Sequence, residues 1–240
     1  MIEVAGQHFK DEDELYSEVY DQMAGGWLWI EKNDIDPRQG VQYAMLSVQG
    51  TPIGEKMVDI ITDMLLDSNI EVRSRAFDIL NMESAIFNKD RLVEIFHLHS
   101  DLIVGQSSPL EASTSGLDFE TILLRGIAGN MSKEDTEILD VLKERTMDPE
   151  IGDYMIGCVI DVDLDWVLER DIGFITRYPY VAFGILDAIP ENDAKLQLLR
   201  KYKSISEEVR LAMLEQFMGG YHEWTETDKQ MKAILEEPNP

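Results

Sequence analysis

The chain has little of what most function classes require. It carries one cysteine, Cys158, among 240 residues. An intrachain disulfide framework is therefore excluded, and a reducing, cytoplasmic setting is expected. No apolar run approaches the roughly 18 residues that a membrane span needs. The opening stretch, MIEVAGQHFKDEDE, lacks the basic start and apolar core of a secretory leader, so none is expected. Alternating Val/Ile/Thr runs are scarce, which disfavours sheets. Bases are the strongest shortage: 21 Lys and Arg stand against 47 Asp and Glu, a net charge of −26. Direct binding to nucleic acid or to an anionic membrane is not expected, because each phosphate would be repelled.

The acidity is spread along the chain. Residues 1–120 hold 23 acids and 8 bases, and residues 121–240 hold 24 and 13. The densest run, Asp11-Glu12-Asp13-Glu14, reads as a helix start, where carboxylates suit the positive end of the dipole. A small, polar segment runs from Gly105 to Pro109 and on through Ala112 to Gly116. It predicts a surface loop, with an insertion spanning about 100–116. Pro238-Asn239-Pro240 cannot continue a helix.

What is present is helical periodicity. Met57, Ile60, Ile61, Met64 and Leu65 recur at helical spacing, as do Val72, Ala76, Phe77, Ile79 and Leu80. The fold class expected is all-α. The second of these segments repeats, with a β-branched anchor followed five residues later by an apolar residue. The anchors are Val41, Val72, Ile122, Ile151, Val181 and Val209, spaced by 31, 50, 29, 30 and 28 residues. The plus-five residues are Leu46, Phe77, Ile127, Ile156, Leu186 and Leu214. The one long interval contains the Ser-rich segment. Partner helices are expected at 55–66, 90–99, 133–146, 163–172 and 191–202, with terminal caps at 11–33 and 221–236. Helix pairs this short cannot bury their own apolar faces. They must stack, which predicts one α-solenoid domain over 1–240, built from about six helix pairs.

Turn chemistry supports the repeat. Asp67-Ser68-Asn69 precedes Val72, Met147-Asp148-Pro149 precedes Ile151, and Ser204-Ile205-Ser206 precedes Val209. Such residues cap free helix amides. The run Asp67-Ser68-Asn69-Ile70-Glu71-Val72-Arg73-Ser74-Arg75-Ala76 resembles the inter-helix turn and second helix of HEAT repeats. That family favours a turn Asp, then Val-Arg, then Ala three residues after the Arg. Glu208-Val209-Arg210-Leu211-Ala212 is a weaker echo, and the other four anchors are not followed by Arg. By periodicity the likeness covers about residues 25–218. It implies an α-solenoid and a binding role; it does not imply a catalytic residue.

Helix geometry turns the anchors into faces. Anchor, plus four, plus five and plus eight point inward at 100° per residue, so plus two, plus three and plus six point outward. The plus-six row is Ser47, Asp78, Ala128, Gly157, Asp187 and Glu215. The plus-two row is Tyr43, Ser74, Leu124, Asp153, Phe183 and Leu211. The plus-three row is Ala44, Arg75, Arg125, Tyr154, Gly184 and Ala212. Second helices of HEAT-like solenoids usually line the concave surface. The face mixes carboxylates with aromatics, a common interface composition. The expected partner-binding residues are Tyr43, Asp78, Asp153, Tyr154, Asp187 and Glu215.

Catalytic and metal motifs are missing. Asp161-Val162-Asp163-Leu164-Asp165 opens like an EF-hand loop, but Trp166 stands where the turn needs Gly and Ile172 where a bidentate Glu belongs. His97 and His99 point about 200° apart on a helix and cannot share one ion. His222-Glu223, beside Trp224, reads as a polar surface pair. There is no GxSxG, P-loop or helix-opening GxGxxG. Cys158 sits in an apolar run and is expected to be buried and inert. Trp27 and Trp29, near Gly25-Gly26, are expected to pack the first repeat. No cofactor or metal is implied.

The function expected is non-enzymatic binding of a basic protein. Strong negative charge steers a cationic partner and speeds its association. Small, acidic, cysteine-poor helical repeat proteins resemble immunity proteins that neutralise bacterial toxins, such as nucleases. The alternatives are a nucleic-acid mimic that blocks a DNA-binding enzyme, or a scaffold or adaptor.

Overall fold

The structure is a computed structural model that describes residues 1–4, 6–24, 41, 44, 45, 47–106, 117–219 and 225–239. It is all-α apart from one short hairpin, with fourteen α-helices among the described residues. No helix among them is long and apolar enough to cross a membrane. The chain divides into two compact units, Met1–Met131 and Ser132–Pro240.

Unit 1 opens with β1 (Ile2–Val4) and β2 (Gln7–Phe9), antiparallel, with Ile2 opposite Phe9. Gly6 takes the left-handed turn position at φ 76°, which favours glycine. The hairpin departs from the all-helical expectation. Its strands are three residues each, too short to show an alternating pattern.

The acidic run starts α1 (Glu12–Met23), where Asp11 caps the helix by accepting from the Glu14 amide at 3.1 Å. Next come α2 (Pro52–Met64), α3 (Ile70–Met82), a 3-10 turn (Ser84–Ile86), α4 (Lys89–Leu98), α5 (Ser100–Ile103) and α6 (Phe119–Ala128). Thr51, Asn69, Asn88 and Asp118 cap α2, α3, α4 and α6. Asn69 belongs to the turn singled out by its HEAT-like sequence. There, Asp67 Oδ1 accepts from the Asn69 amide, and the Arg73 guanidinium donates to the Asp67 carbonyl at 3.0 Å.

Helix α3 is the centre of unit 1, packed by α1, α2 and α6. Phe77 stacks on Phe119 with ring centroids 4.2 Å apart. Gly126 lets α6 approach closely, since a Cβ there would stand 2.6 Å from Leu80 Cδ1. Each fully buried large apolar side chain contributes about 1.5–3 kcal/mol. Of the expected insertion, residues 100–103 are helical and 107–116 lie outside the described residues. Its flanks are joined by the Phe119 amide, which donates to the Gln106 carbonyl at 2.9 Å.

Unit 2 contains α7 (Thr136–Arg145), α8 (Gly152–Val162), α9 (Leu164–Leu168), α10 (Asp171–Arg177), α11 (Val181–Asp187), α12 (Asn192–Lys203), α13 (Glu207–Gly219) and α14 (Glu226–Glu236). The expected helix at 163–172 is two helices, α9 and α10. The break falls where the buried Asp171 turns inward to Lys201 Nζ at 2.6 Å and Tyr202 Oη at 3.2 Å. Its other oxygen accepts from the Ile172 amide.

The expected partners are in contact: α2 with α3, α4 with α6, α7 with α8, α9 and α10 with α11, and α12 with α13. Helix α8 also packs on α11. Val41, Val72, Ile122, Val181 and Val209 are buried, whereas Ile151 is half-buried because it precedes its helix as the cap. Among the plus-five residues, Phe77, Ile127, Ile156 and Leu186 are buried, and Leu214 is half-buried. Leu46 lies outside the described residues.

Candidate functional site

The outward rows fare differently in the two units. In unit 1, Asp78 is only 6% exposed, and Ser74, Arg75, Leu124 and Ala128 are buried with it. Asp78 is therefore corrected from a partner-facing residue to an interior one. Its helix, α3, is covered by neighbours on several sides, leaving the plus-six position no solvent face. Tyr43 lies outside the described residues.

In unit 2 the rows open to solvent. Asp153 is half-exposed, and Tyr154, Asp187 and Glu215 are exposed. Asp153 and Tyr154 stand in the first turn of α8. That helix begins at Gly152, where a Cβ would lie 2.5 Å from the Thr146 carbonyl and 2.8 Å from the Tyr178 hydroxyl. A side chain there would push the helix start away, so glycine fixes where Asp153 emerges.

The structure adds Tyr180, which the row pattern misses because it precedes the Val181 anchor. Its hydroxyl donates to Asp153 Oδ2 at 2.7 Å. Desolvation first, and the Asp153 carboxylate second, push the Tyr180 phenol well above its ordinary range. Tyr178 lies beside it, with ring centroids 6.3 Å apart, and donates to the Asp148 carbonyl at 3.0 Å. Tyr154 is 40% exposed and Tyr180 43%, so the patch offers aromatic surface next to a carboxylate.

Asp187 lies at the end of α11 and lines a cleft of about 580 Å³ with Phe183, Lys195, Phe217, Asp228 and Met231. Phe183 stacks on Phe217 at 5.6 Å, joining α11 to α13. Glu215 stands on α13, one residue before Gln216 in the cleft wall. Acids and aromatics thus reach solvent on α8, α11 and α13.

Other chemistry is accounted for structurally. Asp163 and Asp165, from the alternating acidic run, are taken up by lysines. Lys143 Nζ is 2.9 Å from Asp163, and Lys133 Nζ is 3.3 Å from Asp163 and 3.2 Å from Asp165. The Lys143 ammonium holds the Asp163 carboxyl below the usual carboxylate range. Among the described residues no group of three or more His, Cys, Asp or Glu is placed to hold a metal ion. Cys158 is half-buried, not enclosed as its apolar run suggests. It lies next to the exposed Gly157 on α8, so the run faces solvent along one edge. Trp27, Trp29, His222, Glu223 and Trp224 lie outside the described residues. Comparison of this chain with protein-family models, curated proteins and solved structures returns no match.

Proposed function

We propose that the protein is a non-enzymatic interaction module whose partner is a basic protein, bound on the acidic, aromatic face of unit 2. The observation that carries this is the half-exposed Asp153 with the exposed Tyr154, Tyr180, Asp187 and Glu215 in a chain of net charge −26. Long-range attraction steers the partner in. Asp153 has one oxygen engaged by Tyr180, and its other oxygen would accept from a partner Lys or Arg. Tyr154 and Tyr180 supply rigid contact area that excludes water around such pairs. A buried charge pair lost from this interface costs on the order of 2–5 kcal/mol, and a rim pair little. The sharpest form of the reading is an immunity protein that occludes the basic site of a toxin such as a nuclease. Its scaffold is a solenoid of HEAT-like helix pairs, supported by the paired contacts within each unit and by the packing of α8 on α11.

The test is affinity capture from a lysate of the source organism at low and high salt, with mass spectrometry of the eluate. Wild-type protein is compared with the triple variant Asp153→Lys, Asp187→Lys, Glu215→Lys. A basic protein retained by wild type, weakened by salt and lost by the variant is the expected result. Equal recovery by the variant would mean that this face is the wrong one. Recovery of many unrelated DNA-binding proteins would replace the reading with nucleic-acid mimicry.

A further inference from the structure

A second pocket of unit 2 has the opposite electrostatic character. It encloses about 420 Å³ between the end of α7 and helices α9 and α10. Lys143, Trp166, Arg170, Gly173, Phe174 and Arg177 line it, and no carboxylate does. In a chain with 47 acids and 21 bases, three cations around one pocket run against composition.

The geometry favours a flat guest. The Arg170 guanidinium lies 4.4 Å from the Trp166 ring centroid, and Lys143 Nζ lies 5.4 Å from it. Phe174 meets Trp166 at 5.7 Å and is buried. These rings give an apolar wall, and Arg170 and Lys143 lie over the indole itself. Two cations are partly neutralised, Lys143 by Asp163 at 2.9 Å and Arg170 by Glu169 at 3.0 Å. Arg177 is different. It donates to the Met147 carbonyl at 3.0 Å, and no carboxylate among the described residues lies within 4 Å of its guanidinium. Its remaining donors are available to an anion.

Gly173, Phe174 and Arg177 lie on α10, and Arg170 precedes it as the N-cap residue. Gly173 is telling. Glycine inside a helix is unfavourable relative to alanine. Here no positive φ requires it, and a Cβ would meet nothing within 4 Å. Its missing side chain keeps the pocket open.

We propose that this pocket binds a small molecule with a flat aromatic body and a carboxylate. The ring slots against Trp166 and Phe174, and the carboxylate faces Arg177. The volume falls within the range of small-molecule sites, about 300–1,000 Å³. The pocket shares no lining residue with the acidic face, and the probes below test it independently of that face.

Isothermal titration of the full chain with three isosteric probes tests the proposal: 1-naphthoate, 1-naphthalenemethanol and 1-naphthylmethylammonium. Naphthoate is expected to bind one to one, the alcohol at least about tenfold more weakly, and the ammonium not at all. Gly173→Leu fills the pocket and improves helix propensity. It is expected to abolish naphthoate binding with an unchanged circular dichroism spectrum and a thermal midpoint no lower than that of wild type. Arg177→Gln is expected to reduce naphthoate affinity to about that of the alcohol. Absence of naphthoate binding at millimolar concentration would overturn the proposal. So would an alcohol that binds equally well, or full binding by Gly173→Leu.

Discussion

The Tyr180 hydroxyl donates to Asp153 Oδ2 at 2.7 Å across 27 residues of sequence. The bond ties the chain just before α11 to the first turn of α8, within the proposed interface. It orients a carboxylate that would otherwise sample several rotamers, and it holds the tyrosine ring upright beside it. Both members are solvent-accessible, so the bond contributes to geometry more than to stability.

That geometry gives the first prediction. Tyr180→Phe should cost under about 1 kcal/mol in urea denaturation, because water replaces the lost partner of an accessible carboxylate. Alkaline stability gives a sharper readout. The phenols of Tyr180 and Tyr202 are both held above their ordinary range, with burial the largest cause at each. An unfolded tyrosine loses its proton near pH 10. Above that pH the unfolded state binds fewer protons than the native one, so stability falls as pH rises. Tyr202→Phe should flatten this alkaline limb more than Tyr180→Phe, since Tyr202 is fully buried. Equal slopes in wild type and both variants would refute the assignment.

The helical rhythm was legible because each anchor and its plus-five partner sit on one buried stripe, and periodicity reports stripes. It carried the helix positions to within a few residues at 52–64, 89–98 and 192–203. It did not report which helices are enclosed. Asp78 and Asp187 occupy the same register position, yet α3 is surrounded while α11 keeps an open side. Nothing local to Asp78 distinguishes the two, because the difference lies in which distant helices arrive. Tyr180 escaped for a related reason. It precedes its helix, outside the 100° logic, and its partner is fixed by packing of α8 on α11.

This contrast between equivalent positions is itself testable. Glu215→Lys on the open face of α13 should change unfolding free energy by no more than about 0.5 kcal/mol. Asp78→Lys places a long cation in the interior of α3 and should destabilise by roughly 3 kcal/mol or more. Thermal melts of the two variants decide it. A mild effect at Asp78 would return that residue to the surface.

Acid stability should depend on Asp163. Its carboxyl is held below the ordinary range, first by its hydrogen bond from Lys143 and further by Lys133. A lowered native pKa adds stability that is present above the unfolded value, about 3.9, and is lost as pH falls through the native one. Asp163→Asn should therefore be less stable than wild type at pH 7, and the two should converge as pH falls below the lowered native pKa of Asp163. Denaturant midpoints across pH 2–7 measure this. A constant difference across that range would place the effect elsewhere.

Two buried arginines perform the same task in different units. Arg75 reaches from α3 to the carbonyls of Gln22 and Met23, at the end of α1. Arg210 reaches from α13 to the Leu235 carbonyl in the last turn of α14, while Glu207 holds its other side at 2.5 and 2.8 Å. Helix ends leave unpaired carbonyls and a negative partial charge, and neither α1 nor α14 carries a basic residue in its own last turn. Each arginine supplies that missing charge from a neighbouring helix. Removing either leaves buried carbonyls without their donor, so Arg75→Ala and Arg210→Ala should each cost about 2–3 kcal/mol. The damage should be local to each unit. Hydrogen exchange should accelerate over Glu12–Met23 in Arg75→Ala and over Glu226–Glu236 in Arg210→Ala, each leaving the other helix protected. Acceleration of both helices in either variant would show that the two units unfold together.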